Sequence, residues 1–499
     1  MKDSFNANPR PHFVIVPLMA QGHMIPAVDM ARLLADGGAT ISFITTPINA
    51  ARIRPIIDRI HNSALPIRFI ELRFPSAEAG IPEDCENFDL ITSENLLKPF
   101  VEALPLLCPQ LESYLQQSST PKPDCIIADN WHYWTVEVAR KFGIPRLVFH
   151  GQSCFSIYCS TVLRRRKMLD EIEDDFQVFE LPEMPEKIEV MKAQVRRWVD
   201  SPDGYNIRQM FYAGEAAADG IVINTFDELE PWYIDSYRKK AIGKKVWTIG
   251  PLSLYNKHVE DRASRGKPSS IDGGVLLQWL NGKTSNSVIL VSFGSISRNA
   301  FPQIIEIGYA LEASKIPFIW VVKEADSAAA AAVGDIETDK WMSEFEERTR
   351  LTGLVIRGWA PQSVILSHEA VGGFMTHCGW NSTLEAIAAG VPMVTWPRFG
   401  DQFLNERMVV DVLKVGVAVG VKLPPTKVVM AAGEKGLRVV RREEVEEAVR
   451  KLMGRGEEAE ERRKRVREFG VMASKAMEDG GSSFHNLKDL INFAASHST

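Results

Sequence analysis

Two distant stretches of the chain share one alternation of apolar and polar positions. In the first, residues 12–17 are an apolar run of strand length, and residues 18–23 form a glycine-containing loop. A helical pattern follows, ending at Gly37 and Gly38, and a second strand is predicted at residues 40–45. The apolar face of this predicted helix carries Ala27, Met30, Ala31 and Leu34.

The second stretch repeats the pattern much further along the chain. Residues 287–293 predict a strand, residues 302–313 a helix and residues 317–322 another strand. Strands that alternate with helices predict parallel sheets covered on both faces, so each stretch indicates a Rossmann-like domain. Between them, residues 252–274 are rich in Lys, Ser, Gly and Asp, as exposed linkers are, and we place a domain boundary near residue 253.

Composition limits the kind of partner. The chain of 499 residues is 45% hydrophobic and 24% charged, which is typical of a globular protein and not of a disordered or fibrous one. With 58 Lys and Arg against 64 Asp and Glu, the net charge of -6 provides no basic field. We therefore expect small-molecule partners and no nucleic acid.

Several features bear on the cellular compartment. The first ten residues are too polar for a signal peptide, and no predominantly apolar stretch reaches the ~18 residues of a membrane span. The six cysteines show no C-x-x-C spacing, so neither a disulfide framework nor a zinc site is indicated. We expect a cytoplasmic protein that is monomeric and has no membrane span.

The segment most informative about chemistry lies between residues 359 and 402. Within it, residues 372–376 predict a strand and Cys378-Gly379 a tight turn. A helix is predicted from about Asn381 to Gly390, capped by Asn381 or Ser382. The N–H groups and the dipole of such a helix favour an anionic phosphate at the end of the strand.

Three side chains in this segment suit a nucleotide. His377 can donate a further hydrogen bond to the phosphate, Glu385 can accept from ribose hydroxyls, and Trp359 offers a flat face to a base. The alternative is an ordinary β-α-β unit in which the tryptophans are core residues and His377 is a loop histidine.

The spacing of these residues resembles a known motif. Residues Trp359 to Gln402 are similar to the 44-residue donor box of the plant secondary-product UDP-glycosyltransferases, which form glycosyltransferase family 1. The sequence Pro-Leu-Met-Ala-Gln-Gly-His-Met-Ile-Pro from Pro17 and the Phe-Gly-Ser from Phe293 also resemble this family. The resemblance implies an α/β protein with the GT-B fold, in which two Rossmann-like doubly wound parallel-sheet domains face a central cleft.

The resemblance also implies roles for whole regions of the chain. Residues 1–253 would form the N-terminal domain that binds the acceptor, and residues 254–480 the C-terminal domain that binds the UDP-sugar. Residues 481–499 would form a C-terminal helix that packs back on the N-terminal domain.

By the same resemblance, the donor contacts fall on individual residues. Trp359 would stack on uracil, Gln362 would contact the ribose or base, and Glu385 the ribose hydroxyls. The diphosphate would be held by Ser295, His377, Asn381 and Ser382, and the sugar by Trp380, Asp401 and Gln402. The full set of donor-binding residues is Ser295, Trp359, Ala360, Gln362, His377, Gly379, Trp380, Asn381, Ser382, Glu385, Asp401 and Gln402.

The end of the box bears on the donor sugar. Gln402 in the last position, with Trp380 inside the box, is the combination associated with UDP-glucose, whereas a histidine at the end would indicate galactose. Arg398 and Gly400 depart from residues common in the family, and Gln152 stands where many members have threonine. A donor other than UDP-glucose therefore stays open.

Transfer to a hydroxyl requires a general base, and His23 is the candidate. It follows the first strand, and Asp129 falls at the carboxyl end of the strand predicted at residues 124–128, so both should lie on one rim of the sheet. A carboxylate there can fix the imidazole tautomer and stabilise the imidazolium. The resemblance assigns the same pair to the catalytic dyad of an inverting transfer. The alternatives are a structural loop histidine and a helix-capping aspartate.

Aromatic residues follow the same rim and predict an apolar acceptor pocket. The proposed lining residues are Gly22, Trp131, Trp134, Gln152 and Phe155, although buried aromatics can equally be core. Within the family, the flanking sequence resembles the branch that acts on flavonoids, phenolics, triterpenoid or steroid aglycones and their glycosides.

The sequence thus predicts an inverting UDP-glucose-dependent O-glucosyltransferase that needs no prosthetic group and no metal. A nucleotide-sugar-binding protein without transferase activity is a second possibility. A nicotinamide-dependent oxidoreductase is a third, although neither opening strand is followed by G-x-G-x-x-G.

Overall fold

The computed structural model describes residues 10–91, 93–117, 122–195, 204–297, 299–323, 333–422 and 439–497. The chain divides into two compact units. The first unit comprises residues 1–158, 197–257 and 473–499, and the second unit comprises residues 159–196 and 258–472.

Strands are numbered here in chain order. They are β1 (His12–Val16), β2 (Thr40–Thr45), β3 (Ile67–Glu71), β4 (Cys125–Asp129), β5 (Arg146–His150), β6 (Val178–Glu180), β7 (Glu189–Met191), β8 (Gly220–Ile223), β9 (Lys245–Thr248), β10 (Val288–Ser292), β11 (Phe318–Val322), β12 (Gly353–Arg357), β13 (Val371–Thr376), β14 (Met393–Thr395) and β15 (Gly416–Ala418).

The α-helices are numbered in the same way. They are α1 (Gln21–Asp36), α2 (Pro47–Arg52), α3 (Arg54–Asn62), α4 (Ser76–Ala79), α5 (Leu97–Ala103), α6 (Cys108–Leu115), α7 (Thr135–Phe142), α8 (Cys154–Arg165), α9 (Met168–Glu171), α10 (Lys192–Val195), α11 (Tyr205–Ala216), α12 (Pro231–Ser236), α13 (Val259–Ala263), α14 (Gly273–Asn281), α15 (Phe301–Ser314), α16 (Val333–Thr349), α17 (Gln362–Leu366), α18 (Trp380–Ala388), α19 (Gln402–Arg407), α20 (Arg442–Met453), α21 (Glu457–Met477) and α22 (Ser482–Ala495).

The first unit is built on a seven-stranded sheet in the order β3-β2-β1-β4-β5-β8-β9. All of the strand pairs described in it are parallel. Val14 of β1 lies opposite Ile126 of β4, and Val16 lies opposite Ala128. Both strands are buried along their whole length, because helices cover both faces of the sheet, and this is why they read as continuous apolar runs.

Helix α22 belongs to the first unit, where it lies against the edge strand β9. Trp247 Nε1 donates a hydrogen bond to Asp489 Oδ2 at 2.7 Å, and the ring of Phe493 lies 5.1 Å from that of Trp247. Asn486 Nδ2 donates to Thr248 Oγ1 at 2.8 Å. The helix thereby covers an edge strand that would otherwise leave unpaired backbone groups exposed.

The second unit is built on a six-stranded parallel sheet in the order β12-β11-β10-β13-β14-β15. Ser292 at the end of β10 lies opposite Thr376 at the end of β13, so the turns after these two strands leave the sheet side by side. The core on one face is rich in aromatic side chains, including Phe318, Trp320 and Phe345. The predicted fold class, with two doubly wound parallel sheets, is confirmed.

Residues 159–196 belong to the second unit, although they come early in the chain. Strands β6 and β7 form an antiparallel hairpin, and α10 packs against α19. Gln194 Nε2 donates a hydrogen bond to the carbonyl of Lys422 at 2.7 Å. This segment therefore supports the helix that begins at Gln402.

No disulfide bond joins any of the six cysteines, all of which lie in the described ranges. None of the described helices combines the length and the apolar composition that crossing a membrane requires.

Candidate active site

His23 and Asp129 meet where the strand order of the first sheet changes direction. The chain passes from β1 to β2 on one side and later to β4 on the other, and ligands of open α/β sheets bind outside the carboxyl ends of the strands at such a point. Asp129 is the last residue of β4. His23 Nδ1 lies 2.6 Å from Asp129 Oδ2.

The local structure around His23 differs from the prediction. Residues 18–23 were expected to form a loop, but α1 begins at Gln21, so His23 lies in the first helical turn. The helix starts early because the N–H groups of His23 and Met24 both bond to the carbonyl of Ala20 at 2.9 Å. Pro26 lies inside this helix, and because proline has no N–H group, the helix lacks one backbone hydrogen bond there.

The two members of the pair have different exposure. The His23 side chain is 33% exposed, whereas that of Asp129 is 3% exposed. Burial by itself would raise the pKa of Asp129, but the charge and hydrogen bond of His23 and the N–H of Trp131 at 3.1 Å hold the pKa below its usual value. The carboxylate is therefore ionised at neutral pH, and His23 presents its other ring nitrogen, Nε2, as the acceptor.

A second histidine, which the sequence analysis missed, anchors this rim. His132 Nε2 lies 2.9 Å from the carbonyl of Pro17, and Trp134 Nε1 donates to His132 Nδ1 at 3.1 Å. Burial lowers the pKa of His132 to about 4, so the ring is neutral. The guanidinium of Arg146 donates to Thr135 Oγ1 at 2.6 Å and to the carbonyl of His132 at 3.3 Å, which fixes the turn after β4. A single histidine three residues after the end of a strand is not a distinctive signal in a sequence.

The five residues predicted to line the acceptor pocket fall into two groups. Gly22 is exposed, and Trp131 and Gln152 are partly exposed. Trp134 is 6% exposed and Phe155 is fully buried, and both pack against protein side chains. Position after a strand end does not separate these cases, because the next residues can turn either towards solvent or into the core.

In the second unit, His377 lies in the turn after β13 between two glycines. A Cβ atom on Gly294 would lie 2.6 Å from His377 Nε2, and one on Gly379 would lie 2.4 Å from the same atom. Only glycine therefore lets both backbone turns approach the imidazole. Gly294 also has a φ of 76°, in the left-handed region.

Two cations surround this histidine. Lys323 Nζ donates to the carbonyl of Ser295, and the guanidinium of Arg398 lies over two aromatic rings, 5.0 and 5.1 Å from their centroids. Burial, together with the charges of Arg398 and Lys323, lowers the pKa of His377 to about 3. The ring is neutral at pH 7, and its Nδ1 has no hydrogen-bond partner among the described residues. This concentration of positive charge favours an anion.

Helix α18 begins directly after the turn. Its N-cap is Gly379, which makes no side-chain cap hydrogen bond, so the prediction that Asn381 or Ser382 caps the helix is wrong. The helix starts earlier because Cys378, with a φ of 64°, reverses the chain immediately before it. Trp380, Asn381 and Ser382 are thus its first three residues, whose N–H groups have no partner within the helix, and such groups bind anions.

Gln362 and Glu385, both predicted to bind the nucleoside, are hydrogen-bonded to each other, and Gln362 also bonds to Ser382, which was predicted to bind the diphosphate. Gln362 Nε2 donates to Ser382 Oγ at 3.1 Å and to Glu385 Oε2 at 3.0 Å. Trp359 is partly exposed, Ala360 is 8% exposed, and both lie immediately before α17, which begins at Gln362. The helices α17 and α18 therefore bring side chains from the beginning and the middle of this segment together.

The residues predicted to bind the sugar are fixed by their own hydrogen bonds. Gln402 Oε1 accepts from the N–H groups of Arg398 at 2.9 Å and Phe399 at 3.1 Å. Asn405 Nδ2 donates to Asp401 Oδ2 at 2.9 Å. The amide oxygen of Gln402 is thus occupied by backbone donors, and the group left to donate is its Nε2.

No group of three or more His, Cys, Asp or Glu side chains within the described ranges is arranged to hold a metal ion.

Two parallel-sheet units, each with polar side chains gathered at the switch point of its strand order, are characteristic of glycosyltransferases with the GT-B fold. Comparison with known proteins supports this class. The family model "UDP-glucoronosyl and UDP-glucosyl transferase" matches residues 254–434, and the model "Glycosyltransferase, N-terminal domain" matches residues 12–254.

Curated relatives extend over nearly the whole chain. UDP-glycosyltransferase 73C11 of Barbarea vulgaris is 44% identical over 485 residues, which cover 96% of this chain and 95% of the relative. UDP-glycosyltransferase 73C6 of Arabidopsis thaliana is 44% identical over 502 residues, which cover 99% of each. The chain therefore belongs to the plant UDP-glycosyltransferases, and it is an enzyme of that family, as the resemblance of residues Trp359 to Gln402 indicated.

Solved structures agree with this assignment. A structure of UGT73P12 from Glycyrrhiza uralensis in complex with glycyrrhetinic acid 3-O-monoglucuronide has a TM-score of 0.87 and 36% identity, covering 98% of this chain and 96% of that one. A structure of UGT71G1 from Medicago truncatula in complex with UDP-glucose has a TM-score of 0.74 and 25% identity, covering 97% and 98%.

Proposed function

We propose that this UDP-glycosyltransferase is an inverting O-glucosyltransferase that uses UDP-glucose. Its acceptor would be a lipophilic plant secondary metabolite, either a flavonoid or other phenolic, or a triterpenoid or steroid aglycone or glycoside. The observation that carries the proposal is the 2.6 Å contact between His23 Nδ1 and the buried carboxylate of Asp129 at the carboxyl end of the first sheet.

His23 acts as the general base. With Nδ1–H donating to Asp129, Nε2 is the atom that takes the proton of the acceptor hydroxyl. The hydroxyl oxygen then bonds to the anomeric carbon while the bond from that carbon to the phosphate oxygen breaks, and its electron pair leaves with UDP. Asp129 stabilises the imidazolium formed in this step, as the aspartate of hydrolase triads does. Attack from the face opposite UDP converts the α-linked donor into a β-glucoside.

The departing diphosphate is held without a metal. The first N–H groups of α18, the neutral imidazole of His377 and the positive charge of Arg398 and Lys323 would balance the charge that develops on UDP. Ser295, Asn381 and Ser382 would contact the same oxygens. Groups that are already oriented need no rearrangement when the bond breaks, so they stabilise the transition state.

The nucleoside and the sugar occupy the two sides of this anion site. Trp359 and Ala360 would face the uracil, and Gln362 and Glu385 the base and ribose. On the sugar side, Gln402 Nε2 would donate to hexose hydroxyls while Asp401, held by Asn405, would accept from them. Glucose is favoured by the pairing of Gln402 with Trp380.

Structures of similar proteins contain chemically different ligands, so our proposal names classes of acceptor and not a single compound. Structures of UGT89C1 from Arabidopsis thaliana are described with UDP-L-rhamnose and with quercetin, and UGT73P12 is described with glycyrrhetinic acid 3-O-monoglucuronide. In this chain, Gly22, Trp131 and Gln152 would contact the acceptor. We further propose a monomeric, cytoplasmic enzyme in which residues 1–253 bind the acceptor and residues 254–480 bind the donor.

The test is a matrix of donors and acceptors. The enzyme is incubated with UDP-glucose, UDP-galactose, UDP-L-rhamnose and UDP-glucuronic acid. Each donor is combined with phenolic, flavonoid, triterpenoid and steroid acceptors, and the products are identified by their mass increments in mass spectrometry. We expect the largest yields of hexosides from UDP-glucose, with the β configuration in the proton coupling of the anomeric centre. Retention of the α configuration would contradict the mechanism, and a stronger preference for another donor would contradict the glucose assignment.

A further inference from the structure

The segment between the two predicted domains contributes to the donor site of the second unit. The sequence predicted an exposed linker at residues 252–274, but Arg265 and Gly266 are buried, so the prediction is wrong at these positions. Helix α13 packs against α17. Arg262 Nη1 donates to Ser367 Oγ at 2.8 Å, just after α17.

Arg265 reaches the carboxylate to which the ribose is assigned. Its Nη1 lies 2.5 Å from Glu385 Oε1, and the two side chains are only 8% and 11% exposed. The other carboxylate oxygen, Oε2, accepts from Gln362 Nε2 at 3.0 Å. Glu385 is therefore held from two sides, by one residue inside the 359–402 segment and one residue far outside it.

The geometry leaves acceptor capacity for a ligand. A carboxylate has about four lone-pair positions, two on each oxygen. Arg265 takes one on Oε1 and Gln362 takes one on Oε2, so one acceptor position stays open on each oxygen. Two neighbouring acceptors on a fixed, charged group match a pair of vicinal hydroxyls, as on a ribose.

An independent contact ties the same segment to the base side of the site. The backbone N–H of Ser270 donates to the carbonyl of Trp359 at 2.8 Å, and the N–H of Trp359 donates to Ser270 Oγ at 2.8 Å. Residues 258–270 therefore hold both the tryptophan and the glutamate that are assigned to the nucleoside.

We propose that Arg265 is a positioning residue for the nucleoside, acting through Glu385 to set the preference for ribose over deoxyribose in the donor. The inference rests on the proposed assignment of the ribose hydroxyls to Glu385. Arg265 neutralises the buried carboxylate and fixes its orientation before the donor binds. A flexible glutamate would instead lose conformational entropy on binding the donor. Ribose selectivity then depends on a residue outside the 359–402 segment.

The experiment compares two donors that differ by one hydroxyl. Initial rates are measured with UDP-glucose and with its 2′-deoxyribose counterpart for the wild type and for Arg265→Ala, Arg265→Lys and Arg350→Ala. We expect Arg265→Ala to raise the KM for UDP-glucose about 10-fold with little change in kcat, because a hydrogen-bonded charge is lost from ground-state binding. With the deoxy donor the same change should raise KM less than about 3-fold, since the contact that it supports is already missing.

Two controls separate positioning from a general structural effect. Arg265→Lys keeps the positive charge but lacks the planar guanidinium, and it should recover part of the affinity for UDP-glucose. Arg350→Ala removes an arginine of the same unit that is 70% exposed and paired only with Glu347 among the ion pairs of the described residues, and both KM values should stay within about 2-fold of wild type. Thermal unfolding of each variant reports whether it is folded.

The outcomes separate this inference from the proposed function. If Glu385→Ala weakens both donors equally, the assignment of the ribose to Glu385 is wrong, and the inference fails with it. If Glu385→Ala raises the KM of UDP-glucose more than that of the deoxy donor, the ribose assignment stands. If Arg265→Ala then raises both KM values equally, or changes neither of them, only the positioning role of Arg265 is overturned.

Discussion

Two histidines lie beside the switch points of the two sheets, His23 in the first turn of the helix that follows β1 and His377 in the turn after β13, yet their surroundings are opposite. His23 is one-third exposed and bonded to a buried carboxylate. His377 is enclosed by Gly294 and Gly379 and lies near Arg398 and Lys323, which together with burial lower its pKa to about 3. An imidazole beside an anion is suited to gain a proton, whereas an imidazole beside cations is suited to remain neutral next to an anionic ligand.

The comparison teaches that the strand-end position supplies access and the neighbours supply chemistry. Both histidines lie where the strand order changes direction, so both can reach a ligand. The neighbouring charges would then decide between the proposed general base and the proposed anion contact. The following predictions test this contrast, from the largest expected effect to the smallest.

Removal of the base should have the largest effect. We expect His23→Ala to lower kcat about 10²–10⁴-fold, because the acceptor hydroxyl loses its proton acceptor. The Kd of UDP, measured by calorimetry, should be unchanged, since the proposed partner of His23 is the acceptor hydroxyl and not UDP. The matched control is His61→Ala, an exposed histidine of the same unit, which should retain full turnover. Near-normal turnover of His23→Ala would show that the base lies elsewhere.

Removal of the charge beside the base should come next. In Asp129→Asn, the amide can donate to Nδ1, which moves the ring proton to Nε2 and blocks proton transfer. We expect kcat to fall about 10²-fold while the KM of the donor is retained. An isosteric amide keeps the shape of the buried pocket, so near-UV circular dichroism should match the wild type. A purely structural Asp129 would instead change stability and leave kcat intact in the folded fraction.

Removal of the imidazole of His377 should act on donor binding rather than on proton transfer. We expect His377→Ala to raise the Kd of UDP and the KM of UDP-glucose about 10-fold, the effect of losing one hydrogen bond to a charged group. His368→Ala in the same unit, whose imidazole bonds to Asn281, serves as the control. If His377→Ala lowered kcat like His23→Ala and left Kd unchanged, the contrast between the two sites would collapse.

The smallest expected effect is on pH dependence. With a pKa of about 3, His377 is protonated only well below neutral pH. A histidine with an ordinary pKa would gain charge as the pH falls through about 6.5 and would then hold the diphosphate more tightly. We expect the Kd of UDP-glucose, whose doubly esterified diphosphate does not itself titrate in this range, to change less than about 2-fold between pH 5 and 8. A marked tightening below pH 6.5 that disappears in His377→Ala would mean that this ring does titrate there.

Much of the fold and of the site follows from local patterns. The continuous apolar runs of β1 and β4 predict buried parallel strands, and the residues just beyond them predict the rim on which His23 and Asp129 meet. The signal is strong because strand ends on one edge of a parallel sheet must be neighbours. The turn at Cys378-Gly379 is readable for a similar reason, since a short strand and a helix leave little chain between them.

Other features have no local signal. Trp134 and Phe155 follow strand ends as Trp131 does, yet they point into the core. Arg265 stands in a stretch whose composition is that of a linker, and its partner is 120 residues away. The helix start at Gln21 and the capping residue of α18 were also misjudged, because the carbonyl that accepts the first helical bond depends on how the preceding turn is packed.

The sequence by itself determined the class of fold, the position of the two strand-end sites and the family, because these depend on periodicity and on a long motif with fixed spacing. Tertiary structure alone decided that the cations Arg398 and Lys323 lie near His377. It also decided that Arg265 supports Glu385, and that residues 159–196 join the second unit. These are contacts between residues far apart in the chain, and they depend on how the helices pack on each sheet, which no local pattern encodes.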